Sequence, residues 1–104
     1  MQVGEHIQCL DLFQVASSPG AGSQFSDCAI LLEVWNAGGL LQTNVAIPKG
    51  TVITIRSIGI QAKVVSCEQD DFGFMIEIAV CDPKWFPVGY TPPHVLQSAN
   101  SAHA

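Results

Sequence analysis

A chain of 104 residues, of which 48% are apolar and 12% charged, is long enough for one domain with a single buried core. The net charge is −5, and the permanent cations are scattered along the sequence, which excludes the clustered basic face that a nucleic-acid polymer requires. These cations are Lys49, Arg56, Lys63 and Lys84. No segment approaches the roughly 18 consecutive apolar residues of a membrane-spanning helix.

The N-terminal sequence MQVGEHIQCLDLF lacks the basic start and apolar block of a secretory signal, so we expect a cytoplasmic protein with reduced thiols. The cysteines form no CxxC pair and are irregularly spaced, which predicts buried structural thiols and neither a metal site nor a cofactor. They are Cys9, Cys28, Cys67 and Cys81. The charged fraction is about half the usual value, which favours self-association.

The predicted elements begin with HIQCLDLFQV, a strand whose alternation breaks near Leu10 and Asp11 and therefore predicts a bulge. ASSPGAGSQFSD, residues 16–27, is small, polar and glycine-rich and predicts a mobile loop. CAILLEVW and GLLQTNV predict two strands around a double-glycine turn. In the first of them we expect three aliphatic side chains to face inward, namely Ile30, Leu32 and Val34.

TVITI is rich in β-branched residues and follows PKG, in which Pro48 and Gly50 suit a tight turn. IGIQAKVVSC and FGFMIEIAV both alternate with period two, and the polar EQDD between them predicts a hairpin. These segments bring the count to six strands joined by short turns. An all-β, six-stranded antiparallel barrel over about residues 5–81 is the predicted architecture, because closure removes exposed strand edges.

The tail, residues 82–104, carries four prolines and is not expected to continue the strands. Thr91 before Pro92 is a typical helix start, so we predict a short helix from about Pro92 to Ser98 followed by a frayed, irregular end. An aromatic cluster in this tail either caps one mouth of the barrel or forms a patch for a protein partner. Its members are Trp85, Phe86 and Tyr90.

The stretch EVWNAGG places an acid and an indole beside Gly38 and Gly39, which permit positive φ or close backbone approach. Glu33 and Trp35 share one strand parity, and an exposed acid beside an indole face can bind a polar aromatic ligand. In the alternative interpretation, Trp35 covers a neighbouring strand or the tail, and Glu33 is solvated. Arg56, the only guanidinium, forms either a surface ion pair or a contact to an anionic ligand or partner.

ILLEVWNAGGLLQTNVAIPKGTVITI and, further on, IQAKVVSCEQDDFGFMIEIAV resemble a PilZ domain over roughly residues 28–80, and more loosely over 6–16. The shared pattern is a strand leading into a D/N-x-S-x-x-G turn, an apolar strand, a proline–glycine turn and a hairpin. The tail KWFPVGYTPPHVL is similar to the extension that follows the barrel in some bacterial PilZ-like proteins. The resemblance implies a six-stranded barrel in bacterial signalling, where PilZ domains bind cyclic di-GMP.

That ligand is held in the family by the turn and by an R-x-x-x-R stretch before the first strand. Glu33 takes the Asp/Asn place of the turn and Gly38 takes the glycine place, but Trp35 replaces the serine. No basic residue precedes His6. Losing two arginine contacts removes roughly 3–6 kcal/mol, which turns micromolar into millimolar affinity.

The resemblance therefore implies a non-enzymatic regulatory module with a degenerate cyclic di-GMP site. Its partner would be an unidentified protein or a second copy of the chain. The alternative is a receptor that binds cyclic di-GMP or a related nucleotide weakly in a non-standard pocket. That pocket would consist of Glu33, Trp35, Asn36, Gly38, Gly39 and Arg56. A third hypothesis is hydrolase or redox chemistry by a cysteine, such as Cys81 with His94. Asp11, Asp70 and Asp71 are expected to be turn and surface acids.

Overall fold

A computed structural model describes residues 6–17 and 25–98, and within these ranges the chain forms one antiparallel sheet of seven strands without a helix. The strands are β1 (Ile7–Ser17), β2 (Ser26–Trp35), β3 (Gly38–Thr43), β4 (Val52–Ile55), β5 (Ile60–Asp70), β6 (Gly73–Ala79) and β7 (Val95–Ser98). The all-β prediction is confirmed, and each of the six predicted strands corresponds to one of β1 to β6. None of the described segments forms a helix that could span a membrane.

The strand pairings form a closed circuit. Consecutive neighbours are β2, β3, β6, β5, β4 and β1, and β1 pairs with β2 as well as with β4. The two contacts of β1 lie on opposite edges: Val15 pairs with Asp27 of β2 on one side and with Ile55 of β4 on the other. Six strands are therefore linked in a ring, and β7 joins β1 as a seventh strand.

The predicted tail helix is wrong, because residues 95–98 form β7 instead. Cys9 pairs with Val95 and Ile7 pairs with Ser98 in an antiparallel ladder. Two effects work against a helix here. Pro93 disfavours helical backbone at Pro92, and a helix of only two turns is marginal in water. The N-terminal half of β1 offers main-chain partners to the tail, and Val95 suits a pleated surface.

The bulge predicted in β1 is confirmed by a register shift between Gln8 and Asp11. The expectation that Asp11 is a surface acid is wrong. Asp11 is only 6% exposed, whereas Leu10 and Leu12 are 48% and 73% exposed. The strand alternates regularly between faces, so the sequence pattern broke because a polar residue occupies the inner face between two exposed leucines.

A second bulge changes the inner face of β2. The pairing with β3 shifts between Leu31 and Glu33, and both Leu31 and Val34 are fully buried. Of the three aliphatic residues expected inside, only Val34 is buried, while Ile30 and Leu32 are partly exposed. The extra residue reverses the parity midway along the strand. A prediction that counts alternate residues from one end of β2 therefore assigns half of the strand to the wrong face.

Two turns occur where the sequence predicts them. Thr51 N donates to Pro48 O at 3.1 Å, and Gly50 has a φ of 92°, which the PKG turn requires. The predicted hairpin is confirmed as β5 and β6, with Asp71 and Phe72 at its tip. The Asp70 carboxylate accepts the Phe72 N–H at 2.8 Å and fixes this turn.

One hydrophobic core fills the inner face of the sheet, and Trp85 from the tail is among its largest fully buried side chains. The predicted burial of thiols holds for Cys9, but it is wrong for Cys28 and Cys81, which are exposed. The middle of the predicted loop, residues 18–24, and the predicted frayed end after residue 98 lie outside the described residues, as do residues 1–5.

Candidate functional site

The double-glycine turn is shaped by close packing. A Cβ atom on Gly38 would lie 2.0 Å from the carbonyl oxygen of Ile78 on β6. Neither Gly38 nor Gly39 has a positive φ, so close approach rather than unusual backbone conformation explains the pair. Asn36 and Ala37 form the exposed tip, and Val80 N donates to Ala37 O at 2.8 Å.

The buried side chain of Trp85 stabilises this turn by hydrogen bonds. Its indole Nε1 donates to the carbonyl oxygens of Trp35 at 2.9 Å and Gly38 at 3.1 Å. Its ring edge also lies where a side chain on Gly39 would project, with Cζ2 3.4 Å from the Cβ position. Trp85 is 2% exposed, so this residue from the proposed partner-binding set is part of the core.

The outer side of the turn is occupied by His6. Its Nδ1 lies 2.6 Å from Oε2 of Glu33. Its ring stacks on Trp35 with centroids 4.5 Å apart and planes inclined by 8°. The two side chains that the sequence suggested for a planar ligand are thus brought together, and a planar side chain of the same molecule contacts both.

Arg56 does not join this arrangement. Its backbone N donates to Gln14 O at 2.7 Å, whereas Glu33 pairs with Gln8. Six residues along an extended strand separate these positions on β1, roughly 20 Å. The structure therefore brings together Glu33, Trp35 and the glycines of the predicted pocket, but leaves Arg56 at the far end of β1.

A groove of about 960 Å³ lies beside the middle of β1. It is bounded by β1, the β4–β5 turn and the tail that leads into β7. Its lining residues are Leu10, Asp11, Leu12, Phe13, Ser57, Ile58, Gly89, Tyr90, Pro93, His94 and Leu96. The lining is mostly apolar, with few polar side chains, and the volume falls within the range of about 300–1,000 Å³ that ligand sites occupy.

The buried carboxylate of Asp11 is the polar centre of this groove. Its Oδ2 accepts the Tyr90 hydroxyl at 3.0 Å, and its Oδ1 lies 3.0 Å from Nδ1 of His94. Burial, with the hydrogen bond to Asp11 and the charge of Asp11, raises the pKa of Tyr90 far above its ordinary value. The phenol therefore stays protonated and donates to Asp11, while most of the His94 side chain faces solvent.

Tyr90 connects the groove to the core. Its ring stacks on Trp85 at 5.6 Å with an inclination of 15° and meets Phe13 edge-on at 5.5 Å. Phe86 is partly buried and packs against the same core. These contacts place all three aromatic side chains in or against the core. Of the three aromatic residues suggested for a partner, only Tyr90 reaches the groove.

The thiol chemistry suggested by the sequence finds little geometric support. Burial, followed by the charges of Asp11 and Glu33, raises the pKa of Cys9 to about 11. Its Sγ lies 3.6 Å from Leu31 O. In the described ranges, His94 hydrogen-bonds Asp11 and not Cys81. No cluster of three or more His, Cys, Asp or Glu side chains suited to a metal occurs within the same ranges.

Two polar residues of the groove, Asp11 and His94, are absent from the ligand-binding and partner-binding sites that the sequence predicts. The sequence pattern predicts Asp11 on the surface and suggests His94 only as a partner for a cysteine. The break in alternation at LDL was the available signal, because a polar residue inside a strand's buried face needs partners. Those partners come from the tail, 79 and 83 residues further along, which a local pattern cannot show.

Known proteins offer no direct guide to this site. No protein-family profile, no curated protein and no solved structure matches the chain. What the chain does must therefore be inferred from the geometry of its own residues.

Proposed function

We propose that the chain is a non-enzymatic, PilZ-like β-barrel domain that acts as a regulatory module by binding a protein partner and does not respond to cyclic di-GMP. The closed circuit of six antiparallel strands supports the barrel, because a ring of pairings is what barrel closure requires. The strand order and the glycine turn at Gly38 fit the PilZ-like pattern in the sequence.

The occupation of the glycine turn by His6 carries this proposal. A nucleotide base would have to displace an imidazole that already stacks on Trp35 and hydrogen-bonds Glu33. The free energy of these internal contacts would be lost on displacement, so the affinity of the turn for a nucleotide is reduced by that amount. Trp35 also supplies no hydrogen-bond acceptor from its side chain where the family has a serine.

The charges near the turn support the same conclusion. Cyclic di-GMP carries two phosphates, whereas the turn presents the carboxylate of Glu33, and the sequence has a net charge of −5. Lys84 donates to Gly59 O at 3.0 Å, and the backbone of Arg56 pairs with Gln14, six residues along β1 from the partner of Glu33. Lys63 lies two strands from the turn, because it pairs with Ala79 of β6, which pairs with Gly38. A single lysine at that distance would face two phosphates beside the carboxylate of Glu33.

Exposed leucines support a protein partner. Leu10 and Leu12 of β1 and Leu96 of β7 line one groove, and Leu96 is 62% exposed. Clustered apolar side chains on a surface with few charges are typical of sites that bind proteins.

A catalytic role for this groove is disfavoured by the direction of its hydrogen bonds. Asp11 and His94 resemble two members of a nucleophile–base–acid arrangement. Tyr90, however, donates a hydrogen bond to Asp11 and has a raised pKa, so its hydroxyl is held protonated, which is the opposite of an activated nucleophile.

Calorimetric titration with cyclic di-GMP, together with tryptophan fluorescence, tests the proposal. We expect neither heat nor quenching up to millimolar ligand. Saturable binding tighter than about 10 μM would overturn it and would indicate a rebuilt nucleotide pocket around Trp35. His94→Ala, which lies on the tail and does not contact the turn, serves as the matched control for any effect of His6→Ala in this assay.

A further inference from the structure

We propose that the groove beside β1 binds an extended segment of the partner protein that carries a lysine or arginine between apolar side chains. This inference rests on the proposed function and names the site and the chemistry of the partner. Three features beside the middle of β1 support it: a gap in strand pairing, exposed leucines and a buried carboxylate.

The gap in pairing is the first observation. Along one edge, β1 pairs with β7 at residues 7–9 and with β4 at residues 15–17. No described strand pairs with that edge at residues 10–14. At one end of the gap Leu10 N donates to His94 O. At the other end Gln14 N donates to Ser57 Oγ and Gln14 O accepts from Arg56 N, so the residue left open between them is Leu12.

The backbone of Leu12 faces this gap. Leu10 and Gln14 direct their N–H groups to this edge, and alternate residues of a strand hydrogen-bond on the same side. An extended peptide laid along the edge can therefore bond the Leu12 N–H and C=O, as in strand addition. β7 offers a second edge, because among the described strands it pairs with β1 alone.

The groove walls suit apolar side chains on either side of such a peptide. Leu10 and Leu12 project from the outer face of β1, and Ile58 and Leu96 approach from the β4–β5 turn and β7. In an extended segment, side chains two residues apart point the same way. Two apolar residues that flank a central residue would therefore lie on these walls. The central side chain would face the opposite side of the peptide, towards the inner face of β1.

The charge of the occupant follows from Asp11. Its carboxylate has about four acceptor positions, and Tyr90 and His94 use two of them. No lysine or arginine is among the residues that line the groove. The imidazole of His94 already contacts this carboxylate, and a permanently charged side chain from the partner would use the acceptor positions that Tyr90 and His94 leave open. An anionic amphiphile would be repelled.

Synthetic pentapeptides test this chemistry on the intact protein. The probe is an acetylated, amidated peptide of valine, leucine, lysine, leucine and valine, and the matched probe replaces lysine with uncharged norleucine. We expect the lysine peptide to saturate with a dissociation constant of about 10–500 μM. The norleucine peptide should bind at least about tenfold more weakly.

Peptide affinities of substituted proteins test whether binding occurs in the groove. Asp11→Asn should weaken the lysine peptide to the level of the norleucine peptide and leave the latter unchanged. Leu12→Ser should weaken both peptides. Phe72→Ser, at an 80% exposed phenylalanine on the β5–β6 turn, is the control that should change neither. Unfolding midpoints establish that each variant is folded, and the comparison of the two peptides on the unaltered protein stands even if Asp11→Asn does not fold.

Equal affinities for the two peptides, or no saturable binding by either, would overturn the proposal. Concentration-dependent dimerisation blocked by Leu12→Ser, with no peptide binding, would overturn it in favour of a second copy of the chain. The cyclic di-GMP titration is run on the same samples. A silent titration with failed peptides rejects the groove assignment alone, whereas nucleotide binding rejects the proposed function itself.

Discussion

The indole of Trp85 donates a hydrogen bond to the carbonyl oxygen of Gly38 at 3.1 Å, across 47 residues of sequence. The same N–H is shared with Trp35 O, so one tail residue holds both sides of the β2–β3 turn. The described part of the tail, residues 82–98, is therefore an integral part of the domain. This connection links the glycine turn to the groove that Tyr90 lines.

Replacing Trp85 with phenylalanine should destabilise the fold by roughly 2–4 kcal/mol, because a cavity forms and two carbonyl oxygens lose a buried donor. Urea denaturation followed by circular dichroism measures the change. Phe72→Leu at the exposed hairpin tip is the control and should shift stability by less than about 0.5 kcal/mol. A Trp85→Phe variant as stable as the parent would mean that the tail does not hold the turn.

Gly38→Ala should be more damaging than Gly50→Ala. At Gly38 the new Cβ would meet the Ile78 carbonyl oxygen, so two strands must move apart at a cost of about 3 kcal/mol or more. At Gly50 nothing lies within 4 Å, and only the left-handed backbone, with a φ of 92°, is penalised, by about 1–2 kcal/mol. Denaturation midpoints of the two variants give the order, and the reverse order would contradict the close packing of β3 on β6.

Sequence patterns identified six of the seven described strands, but not β7 and not all of the strand faces. The hairpin of β5 and β6 was predictable because its alternation and turn residues are local. The inner face of β2 was not, because the bulge between Leu31 and Glu33 depends on pairing with β3. For the same reason the groove was missed: Asp11 appears anomalous on the inner face until His94 and Tyr90 arrive from the tail.

His6→Ala should separate the structural and ligand-binding roles of the glycine turn. Loss of the contact to Glu33 and of stacking on Trp35 should reduce stability by about 0.5–1.5 kcal/mol, since the pair is partly exposed. Trp35 becomes more accessible, so acrylamide quenching of tryptophan fluorescence should increase. Binding of cyclic di-GMP is not expected to appear. Its appearance only in this variant would mean that His6 blocks a functional nucleotide pocket.

Alkaline pH should destabilise the protein through Cys9. The thiol has an ordinary pKa of 9.0 and a folded-state pKa of about 11, raised mainly by burial. Well below pH 9 it is protonated in both states and contributes no pH dependence. Between pH 9 and pH 11 the unfolded chain loses this proton while the folded chain keeps it, so the free energy of unfolding falls by about 1.4 kcal/mol per pH unit at most.

Cys9→Ala isolates this effect, because it removes the thiol and leaves the exposed Cys28 and Cys81 in place. The variant should be less stable at neutral pH, since a buried side chain is shortened, but its stability should decline less between pH 9 and pH 11. Tyr90, whose pKa is also raised, acts in the same direction at higher pH in both proteins. Urea denaturation at pH 7, 9, 10 and 11 measures the difference. Parallel pH profiles would show that Cys9 titrates in the folded protein as it does in the unfolded chain, which would contradict its burial beside Asp11.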